Sequence, residues 1–324
     1  FRDVYLPPYK AGVEAGAHTL MASFNEIGGI PSSGSKYLLN DILRDEWGFK
    51  GFVVSDWNSI GELINHGYAS DLKNAGEISL NAGLDMDMES RSYITHLKEL
   101  VDEGKVDEDV IDESVKRILR IKFLLGLFDD PFRYCNKERE EKNIMTSEIK
   151  IASLEVAKRS FVLLKNENNI LPLKKDYKKI AVIGPLANSS EDPIGGWGGM
   201  GDSADVITVL DGFKNYVDSK TQVLYSLGCK IDDSSPKGFK DAVNIAKKSD
   251  VIILCLGESR DMSGEACSRS TLDLPGVQEE LAKELFKTGK PIVVVLMNGR
   301  PLSINWINDN ANAILETWFA GTMA

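Results

Sequence analysis

The sequence lacks any apolar run long enough to cross a membrane, and it contains little histidine. Its longest uninterrupted apolar stretches, residues 251–256 and 292–297, have the length of buried strands, whereas a transmembrane helix needs about 20 apolar residues. The three histidines, His18, His66 and His96, lie far apart, so neither a histidine metal centre nor a Ser/His/Asp catalytic set is expected. We therefore predict no metal, no cofactor and no membrane insertion.

Cysteine is also scarce, with four residues and no CxxC spacing: Cys135, Cys229, Cys255 and Cys267. This spacing does not suggest a zinc site. Cys255 lies within an apolar run and is interpreted as a small buried hydrophobic residue. Four scattered cysteines are compatible with unpaired thiols or with one disulfide, so their number does not define a redox compartment.

Positive charge is in the minority, because 49 acidic side chains stand against 38 basic ones and give a formal net charge of −11. An acidic protein repels the phosphates of nucleic acids and of anionic lipids, so neither is an expected partner. A neutral small molecule meets no such repulsion. Since single hydrophobic cores stop growing at about 250–300 residues, the 324 residues predict two domains.

Residues 1–128 predict alternating helices and short apolar strands. The strands lack the in-and-out alternation of a half-exposed antiparallel sheet, which indicates parallel βα units covered on both faces. Strands are predicted at 19–24, 52–55 and 84–88, and helices at 2–15, 36–47, 70–82, 91–103 and 108–127.

Residues 129–148 break this pattern, because they contain Pro131 and a charge run at 137–142 but no sustained apolar stripe. They predict an interdomain linker, with a solvated surface helix as the alternative. Residues 149–324 show a second alternation with the content of a three-layer α/β/α domain. Its strands are predicted at 161–164, 180–184, 223–227, 251–256, 292–297 and 313–317, and its helices at 149–159, 207–217, 237–248, 276–288 and 302–307.

The sharpest local feature is an apolar strand that runs directly into Asp56 and Trp57. At the C-terminal end of a parallel strand, this pair would lie at the mouth of a site. The carboxylate is suited to attack a sugar, and the indole offers the ring a flat apolar face. The alternative is that Asp56 caps the next helix. Asp85 and Asp87, at the end of the following strand, predict helix capping, with lining of the site as their alternative.

A second apolar strand, at 251–256, ends in an acidic, glycine-containing loop with Glu258 and Glu265. Taken alone, such a loop is more commonly a solvated turn. Together with Asp56 it would bring two carboxylates from different predicted domains to one cleft, as glycoside hydrolysis requires. The ionised group would attack the anomeric carbon, and the protonated group would donate to the leaving oxygen.

Residues 196–201 spell the pattern GxGxxG. A dinucleotide-binding fingerprint lies tightly between a strand and a helix. Here the nearest predicted strand ends at Gly184, and an acidic loop containing Pro193 intervenes. Nucleotide binding is therefore a minor alternative, and comparing the binding of glucose with that of ATP or NAD would test it.

Several segments resemble glycoside hydrolase family 3, in particular its bacterial periplasmic β-glucosidases. They occur in collinear order over nearly the whole chain, so together they are far more specific than any one of them. The segments are 5–8 (YLPP), 21–25 (MASFN), 28–32 (GGIPS), 48–57 (GFKGFVVSDW), 82–88 (AGLDMDM), 162–166 (VLLKN), 180–185 (IAVIGP), 257–258 (GE), 263–265 (SGE) and 297–301 (MNGRP).

The resemblance implies an α/β fold in which a (β/α)8 TIM-type barrel is followed by an α/β sandwich domain. Residues 1–128 would be the C-terminal part of the barrel, its last three βα units. Residues 129–148 would be the linker, and residues 149–324 a sandwich domain that supplies the acid/base loop and is truncated at its C-terminus.

The resemblance also assigns site residues. Asp56 matches the family's nucleophile and Glu265 its acid/base, with Glu258 as the rival because it directly follows the strand. The expected mechanism is a double displacement with retention, in which the two carboxyl groups approach to about 5–5.5 Å in the closed site. Three further residues match substrate-binding positions: Trp57, Met21 and Trp197.

The implied activity is that of a retaining exo-β-glycosidase that removes terminal β-D-glucosyl residues from oligosaccharides or glycosides. A β-xylosidase of the same family and a non-catalytic carbohydrate-binding relative are the alternatives. The expected partner is a small carbohydrate, and the expected location is periplasmic or secreted, by family resemblance alone.

The sequence departs from the family in length. A complete barrel takes about 250 residues, and the three predicted units here leave the family's Lys-His segment and other sugar ligands outside the sequence. We therefore expect the N-terminal barrel half to be needed in cis. Three strands without neighbours would leave an unpaired apolar edge, so the chain alone is expected to be inactive and prone to association.

Overall fold

The computed structural model describes residues 1–174 and 176–323. The chain divides into two compact units, unit 1 (Phe1–Lys137) and unit 2 (Glu138–Ala324). Each unit has hydrophobic clusters of its own. The division falls within residues 129–148, where the structure has an exposed helix, α6 (Lys137–Asn143). The assignment of this segment as a linker stays a prediction.

Unit 1 contains short parallel strands. β1 (Thr19–Ala22) pairs in parallel with β4 (Phe52–Ser55), which confirms the predicted strands at these two places. A parallel bridge joins Val54 of β4 to Met86. The residues that follow these three segments therefore emerge at the same edge of unit 1.

The predicted strand at 84–88 is reduced to the single bridge at Met86. The reason lies in the next residue, because the Asp87 carboxylate accepts the N–H groups of Ser90 and Tyr93, both at 3.2 Å. Bonds of this kind compete with strand pairing. They turn the chain toward the next helix, so the capping role predicted for Asp87 is close to the observed one.

The helices of unit 1 match the predicted helices to within four residues at each end, with one addition. The helix Ser59–Asn65 was not expected, since seven residues are too few to show a helical stripe. The elements are α1 (Leu6–Glu14), a π-type helix (Tyr37–Glu46), α2 (Ser59–Asn65), α3 (Leu72–Ala82), α4 (Ser92–Asp102), α5 (Glu108–Leu124) and a small hairpin of β2 (Glu26–Ile27) and β3 (Ile30–Pro31).

Unit 2 has a mixed sheet whose strands match the six predicted ones to within two residues at each end. They are β5 (Val162–Asn166), β6 (Lys179–Ile183), β7 (Gln222–Ser226), β8 (Val251–Gly257), β9 (Ile292–Met297) and β10 (Ala313–Glu316). Among the described residues the order is β5–β10–β9–β8–β6–β7. Neighbouring strands are parallel, except that β5 runs antiparallel to β10.

Helices pack against both faces of this sheet. Ile252 and Leu254 of β8 belong to one core, together with residues of the helices that span 239–247, 278–286 and 305–310. Ile253 belongs to the other core, together with Leu210 of the helix that spans 209–216. Alternate residues of one strand thus enter two cores, which explains its uninterrupted apolar sequence. The helices are α7 (Ser147–Ser160), α8 (Val209–Tyr216), α9 (Phe239–Lys247), α10 (Gln278–Phe286) and α11 (Asn305–Asn310).

A buried carboxylate, Asp85, connects three elements of unit 1. Its side chain is fully buried and accepts hydrogen bonds from Arg44 at 2.6 Å, from Arg117 at 2.7 Å and from the N–H of Val53 at 2.8 Å. An ionised carboxylate is stable in a protein interior only when it is paired and hydrogen-bonded. Asp85 is therefore a structural ion-pair partner, and the capping and site-lining roles expected for it were wrong.

Replacement of Asp85 should destabilise unit 1, because Asp85→Asn leaves two arginines without their carboxylate. We expect the free energy of unfolding to fall by about 3–5 kcal/mol, the usual cost of breaking a buried ion pair from one side. Urea unfolding followed by circular dichroism measures it. The matched control is Asp102→Asn, which removes an exposed pair with Lys98 and should change stability by less than about 0.5 kcal/mol. Equal effects of the two variants would contradict the assignment.

Candidate active site

Asp56 directly follows β4, at the carboxyl end of the parallel strands. Its side chain is partly exposed, and its Oδ1 accepts the N–H of Trp57 at 2.6 Å. The N-cap position of α2 belongs to Asn58, so helix capping is not the role of the Asp56 carboxylate. A carboxylate held by one neighbouring N–H at an accessible strand end is placed to react with a ligand.

Two large apolar side chains near this strand end are exposed. Trp57 is 63% exposed and Met21 is 54% exposed, and Met21 lies opposite Val54 in the register of β1 and β4. Met21 also lines a cavity of about 470 Å³ in unit 1, together with the polar Ser23 and Asn25. Exposed apolar groups beside polar ones are typical of a ligand-binding surface.

Glu265 lies in the turn of a short hairpin that is closed by a bridge between Gly264 and Cys267. Its side chain is exposed. The turn needs backbone conformations that favour glycine, with φ of 147° at Gly264 and 56° at Ala266. The hairpin therefore presents the Glu265 carboxyl group to solvent.

Glu258, the other glutamate of this loop, is fully buried. Its Oε1 lies 2.7 Å from Nη1 of Arg269 and 3.1 Å from Nε of Arg300, and its Oε2 accepts the N–H of Gly299 at 3.3 Å. A general acid must approach the leaving oxygen to hydrogen-bond distance. Burial closes Glu258 to such an approach, whereas the exposed Glu265 remains open to it.

A third carboxyl group, which was not predicted from the sequence, lies at this end of the unit 2 sheet: Glu316, in the last position of β10. Its Oε1 accepts the N–H of Trp318 at 2.9 Å, and its Oε2 accepts Nδ2 of Asn298 at 3.1 Å. Burial raises the pKa of Glu316, and the neighbouring Glu258 carboxylate adds to the rise. The one signal in the sequence was a glutamate ending an apolar strand. Glu316 is only 5% exposed, so it belongs to the buried polar groups at this end of the sheet.

Trp197 is 75% exposed on a loop that lies against the Glu265 hairpin. A Cβ atom added at Gly196 would come within 2.4 Å of the carbonyl oxygen of Ser263, so only glycine permits this contact. The N–H of Arg260 also donates to Oδ1 of Asp192 at 2.9 Å. Trp197 and Glu265 therefore lie on adjoining loops of unit 2.

The GxGxxG segment has the wrong surroundings for a dinucleotide site. It lies between two short 3-10 turns, Asp192–Ile194 and Ser203–Asp205, and the next α-helix begins only at Val209. The fingerprint requires a strand before the glycines and a helix directly after them. This context gives no support to nucleotide binding.

Within residues 1–174 and 176–323, no group of three or more His, Cys, Asp or Glu side chains could hold a metal ion. The helices described there are also too short or too polar to cross a membrane. All four cysteines are unpaired: Cys135 and Cys267 are exposed, and Cys229 and Cys255 are buried. Burial raises the pKa of both buried thiols to about 12, which agrees with the interpretation of Cys255 as a buried hydrophobic residue.

Two family profiles match the chain. Residues 1–121 match the glycosyl hydrolase family 3 N terminal domain, and residues 161–324 match the glycosyl hydrolase family 3 C-terminal domain. The first profile lies in unit 1 and contains Asp56, and the second lies in unit 2 and contains Glu258 and Glu265.

Curated relatives include a periplasmic β-glucosidase of Salmonella typhimurium, 41% identical over 99% of this chain and 45% of its own length. A β-xylosidase of Formosa agariphila is 42% identical over 100% of this chain and 46% of its own length. The chain thus spans less than half the length of these relatives.

Solved structures agree. A mutant β-glucosidase from Listeria innocua in complex with laminaribiose superposes with a TM-score of 0.86 at 39% identity, covering 98% of this chain and 43% of that one. A family 3 exo-β-xylosidase in complex with a xylobiose aziridine probe gives a TM-score of 0.81 at 32% identity, over 98% and 41% of the two chains. The chain therefore belongs to glycoside hydrolase family 3.

Proposed function

We propose that this chain carries the two catalytic carboxyl groups of a retaining exo-β-glycosidase that removes terminal β-D-glucosyl residues. The observation that carries the proposal is the contrast between engaged and available carboxylates. Asp85 and Glu258 are fully buried in ion pairs, whereas Asp56 and Glu265 are accessible. Similarity to β-glucosidases along the whole chain supports the substrate class.

In the first step the Asp56 carboxylate attacks the anomeric carbon while the bond to the aglycone oxygen breaks. The carboxylic acid of Glu265 gives its proton to that oxygen, so a neutral aglycone leaves and a glycosyl ester remains on Asp56. In the second step the Glu265 carboxylate takes a proton from water, the hydroxyl oxygen attacks the same carbon, and Asp56 leaves as carboxylate. Two inversions at one carbon give net retention.

The exposed aromatic and thioether side chains are assigned to binding. Trp57 and Trp197 provide flat apolar faces suited to the C–H side of sugar rings. Met21, which lines the unit 1 cavity, contributes an adaptable apolar contact. We assign these three residues to the substrate and Asp56 and Glu265 to the chemistry.

A β-xylosidase is the second candidate, because the β-xylosidase relative matches this chain as closely as the β-glucosidase does. The two glycones differ by the hydroxymethyl group on C5. Measured kcat/KM values for aryl β-glucoside and aryl β-xyloside decide between them. A non-catalytic carbohydrate-binding relative is the third candidate, and it would bind sugar without turnover of either.

We also propose that unit 1 forms the last part of a (β/α)8 barrel that needs further strands in cis. Among the described residues, β1 has one strand partner, β4, and its other edge is unpaired. Open edges of this kind are closed in a barrel. By similarity to a periplasmic relative, we propose a periplasmic or secreted location.

Covalent trapping tests the nucleophile. A protein that carries this chain together with the further barrel strands proposed above is incubated with a dinitrophenyl 2-deoxy-2-fluoro-β-glucoside. The fluorine slows both steps, and the good leaving group restores the rate of the first step only. We expect a fluoroglucosyl ester on the peptide that contains Asp56, detected by mass spectrometry after digestion. Asp56→Asn should remain unlabelled, and Asp87→Asn serves as the matched control. A label on another carboxylate, or none with a hydrolytically active parent, contradicts the assignment.

Leaving-group dependence tests the acid/base. Glu265→Ala should lower kcat/KM for phenyl β-glucoside by about 10²–10⁴-fold, the usual contribution of general acid catalysis. It should spare kcat/KM for the dinitrophenyl glucoside, whose phenolate leaves without a proton. Added azide should restore turnover and give β-glucosyl azide. The neighbouring Glu258→Ala serves for comparison, and a loss of the same size for both substrates in Glu265→Ala would rule out the assigned role.

The 324-residue chain by itself should be inactive and should associate, because the β1 edge is open. Purified chain is assayed with an aryl β-glucoside and examined by analytical ultracentrifugation. We expect no turnover above a blank and a concentration-dependent sedimentation coefficient. Measurable turnover by monomeric chain would refute the need for further strands.

A further inference from the structure

Beneath the Glu265 hairpin lies a buried ionic cluster that the proposed chemistry does not use. It lies at the carboxyl ends of β8 and β9. Glu258 directly follows β8, and Gly299 and Arg300 lie in the loop that follows β9, which ends at Met297. The side chain of Glu258 is 0% exposed, and that of Arg300 is 18% exposed. Burying charged groups costs desolvation free energy, so we expect this cluster to have a role in its contacts with the hairpin.

Arg300 is bound on its inner side by Glu258. Its Nε lies 3.1 Å from Oε1 of that carboxylate, and the adjacent Gly299 N–H donates to Oε2 at 3.3 Å. Arg269 reaches the same Oε1 at 2.7 Å and also donates to the carbonyl of Asp273 at 2.9 Å. The ion pair with Glu258 places the Arg300 guanidinium group beside the buried carboxylate, although its Nε lacks hydrogen-bond geometry toward that oxygen.

On its outer side Arg300 contacts the backbone on both sides of Glu265. Its Nη2 donates to the carbonyl of Met262, just before the hairpin, and lies 3.5 Å from the carbonyl of Cys267, which closes it. Glu265 lies between these two carbonyls in the sequence. A planar guanidinium can face the Glu258 carboxylate with Nε and these carbonyls with Nη2, because its donors diverge in a rigid fork, whereas a lysine ammonium is a compact point charge.

The hairpin has few supports of its own. Its closing bond, from the N–H of Cys267 to the carbonyl of Gly264, is 3.3 Å long. Ser263 packs on Gly299, since a Cβ at Gly299 would fall 2.5 Å from the Cβ of Ser263. The hairpin thus rests on the loop after β9, through Arg300 and through Gly299, and on the loop that contains Gly196.

We propose that Arg300 is a positioning residue for Glu265, held in its working orientation by Glu258; the proposal rests on the function proposed above. Arg300 does not touch the substrate. It fixes the hairpin, and the hairpin sets where the Glu265 carboxyl group lies. Proton transfer depends steeply on this placement, since a displacement of about 1 Å can cost about 10²-fold in rate.

The kinetic test compares two substrates, and it uses the chain together with the further barrel strands proposed above. Arg300→Lys keeps a positive charge beside Glu258 but removes the fork. We expect kcat/KM for phenyl β-glucoside to fall by about 10²-fold. For the dinitrophenyl glucoside, whose leaving group needs no proton, we expect kcat/KM to fall by only about tenfold. Azide should raise turnover of the variant on the dinitrophenyl substrate, as in Glu265→Ala.

Arg117→Lys is the matched control, because Arg117 also pairs with a buried carboxylate, Asp85, but belongs to unit 1. Any loss in Arg117→Lys should be equal for the two substrates. An equal loss for both substrates in Arg300→Lys, or no loss, would show that Arg300 is structural only. If the parent enzyme hydrolyses neither substrate, the proposed function fails instead, and the two failures are thereby distinguished.

Hydrogen exchange measured by mass spectrometry on the 324-residue chain gives a readout that needs no activity. In Arg300→Lys we expect peptides spanning residues 260–268 to exchange faster, while peptides from β8 and β9 keep the exchange rates of the parent. Uniform acceleration across the sheet would mean that Arg300 stabilises unit 2 as a whole, and unchanged exchange in 260–268 would mean that it does not hold the hairpin. Either result overturns the positioning role.

Discussion

An ionised carboxylate that is fully buried in a protein interior is stable only when it is paired and hydrogen-bonded, and each unit of the chain contains one that is paired with two arginines. In unit 1 Asp85 is held by Arg44 and Arg117. In unit 2 Glu258 is held by Arg269 and Arg300. The Glu258 cluster lies at the end of β8, and Asp85 precedes the bridge residue Met86. Each cluster joins segments that are distant in sequence, where an apolar contact would fix direction less strictly. The Glu258 cluster also contacts the segment that carries Glu265, through the bond from Arg300 to the carbonyl of Met262.

The same requirement separates structural from reactive acids. A carboxylate surrounded by arginines and closed to solvent has no free face for a substrate. Asp56 and Glu265 follow the same kinds of strand, yet they are accessible. The strand ends therefore supply polar residues in excess, and burial decides which of them hold the backbone and which remain available for chemistry.

The sequence was most informative where one physical signal dominated. β8 and β9 are buried on both faces, so their apolar runs are uninterrupted and their bounds could be predicted closely. Signals were weak for short segments, as in α2. They misled at 84–88, where a short apolar run suggested a strand but the side chain of Asp87 bonds to the backbone of the next turn. Local hydrogen bonding of a polar side chain leaves no periodicity to read.

The candidate site was harder to predict than the fold, and the two glutamates after β8 show why. Glu258 directly follows the strand, and this position alone favoured it as a catalytic acid. Glu258 is structural because Arg269 and Arg300 pair with it. Arg300 lies in the loop after the next strand, β9, so the sequence of the loop after β8 could not predict this ion pair. Glu265 was predicted from family resemblance, and its exposure and its hairpin support its proposal as the acid/base. An acid that must meet a substrate has to project beyond the layer of buried ion pairs. In the proposed arrangement, a hairpin contacted by Arg300 on both sides of Glu265 satisfies that condition while limiting the freedom of the group at its turn.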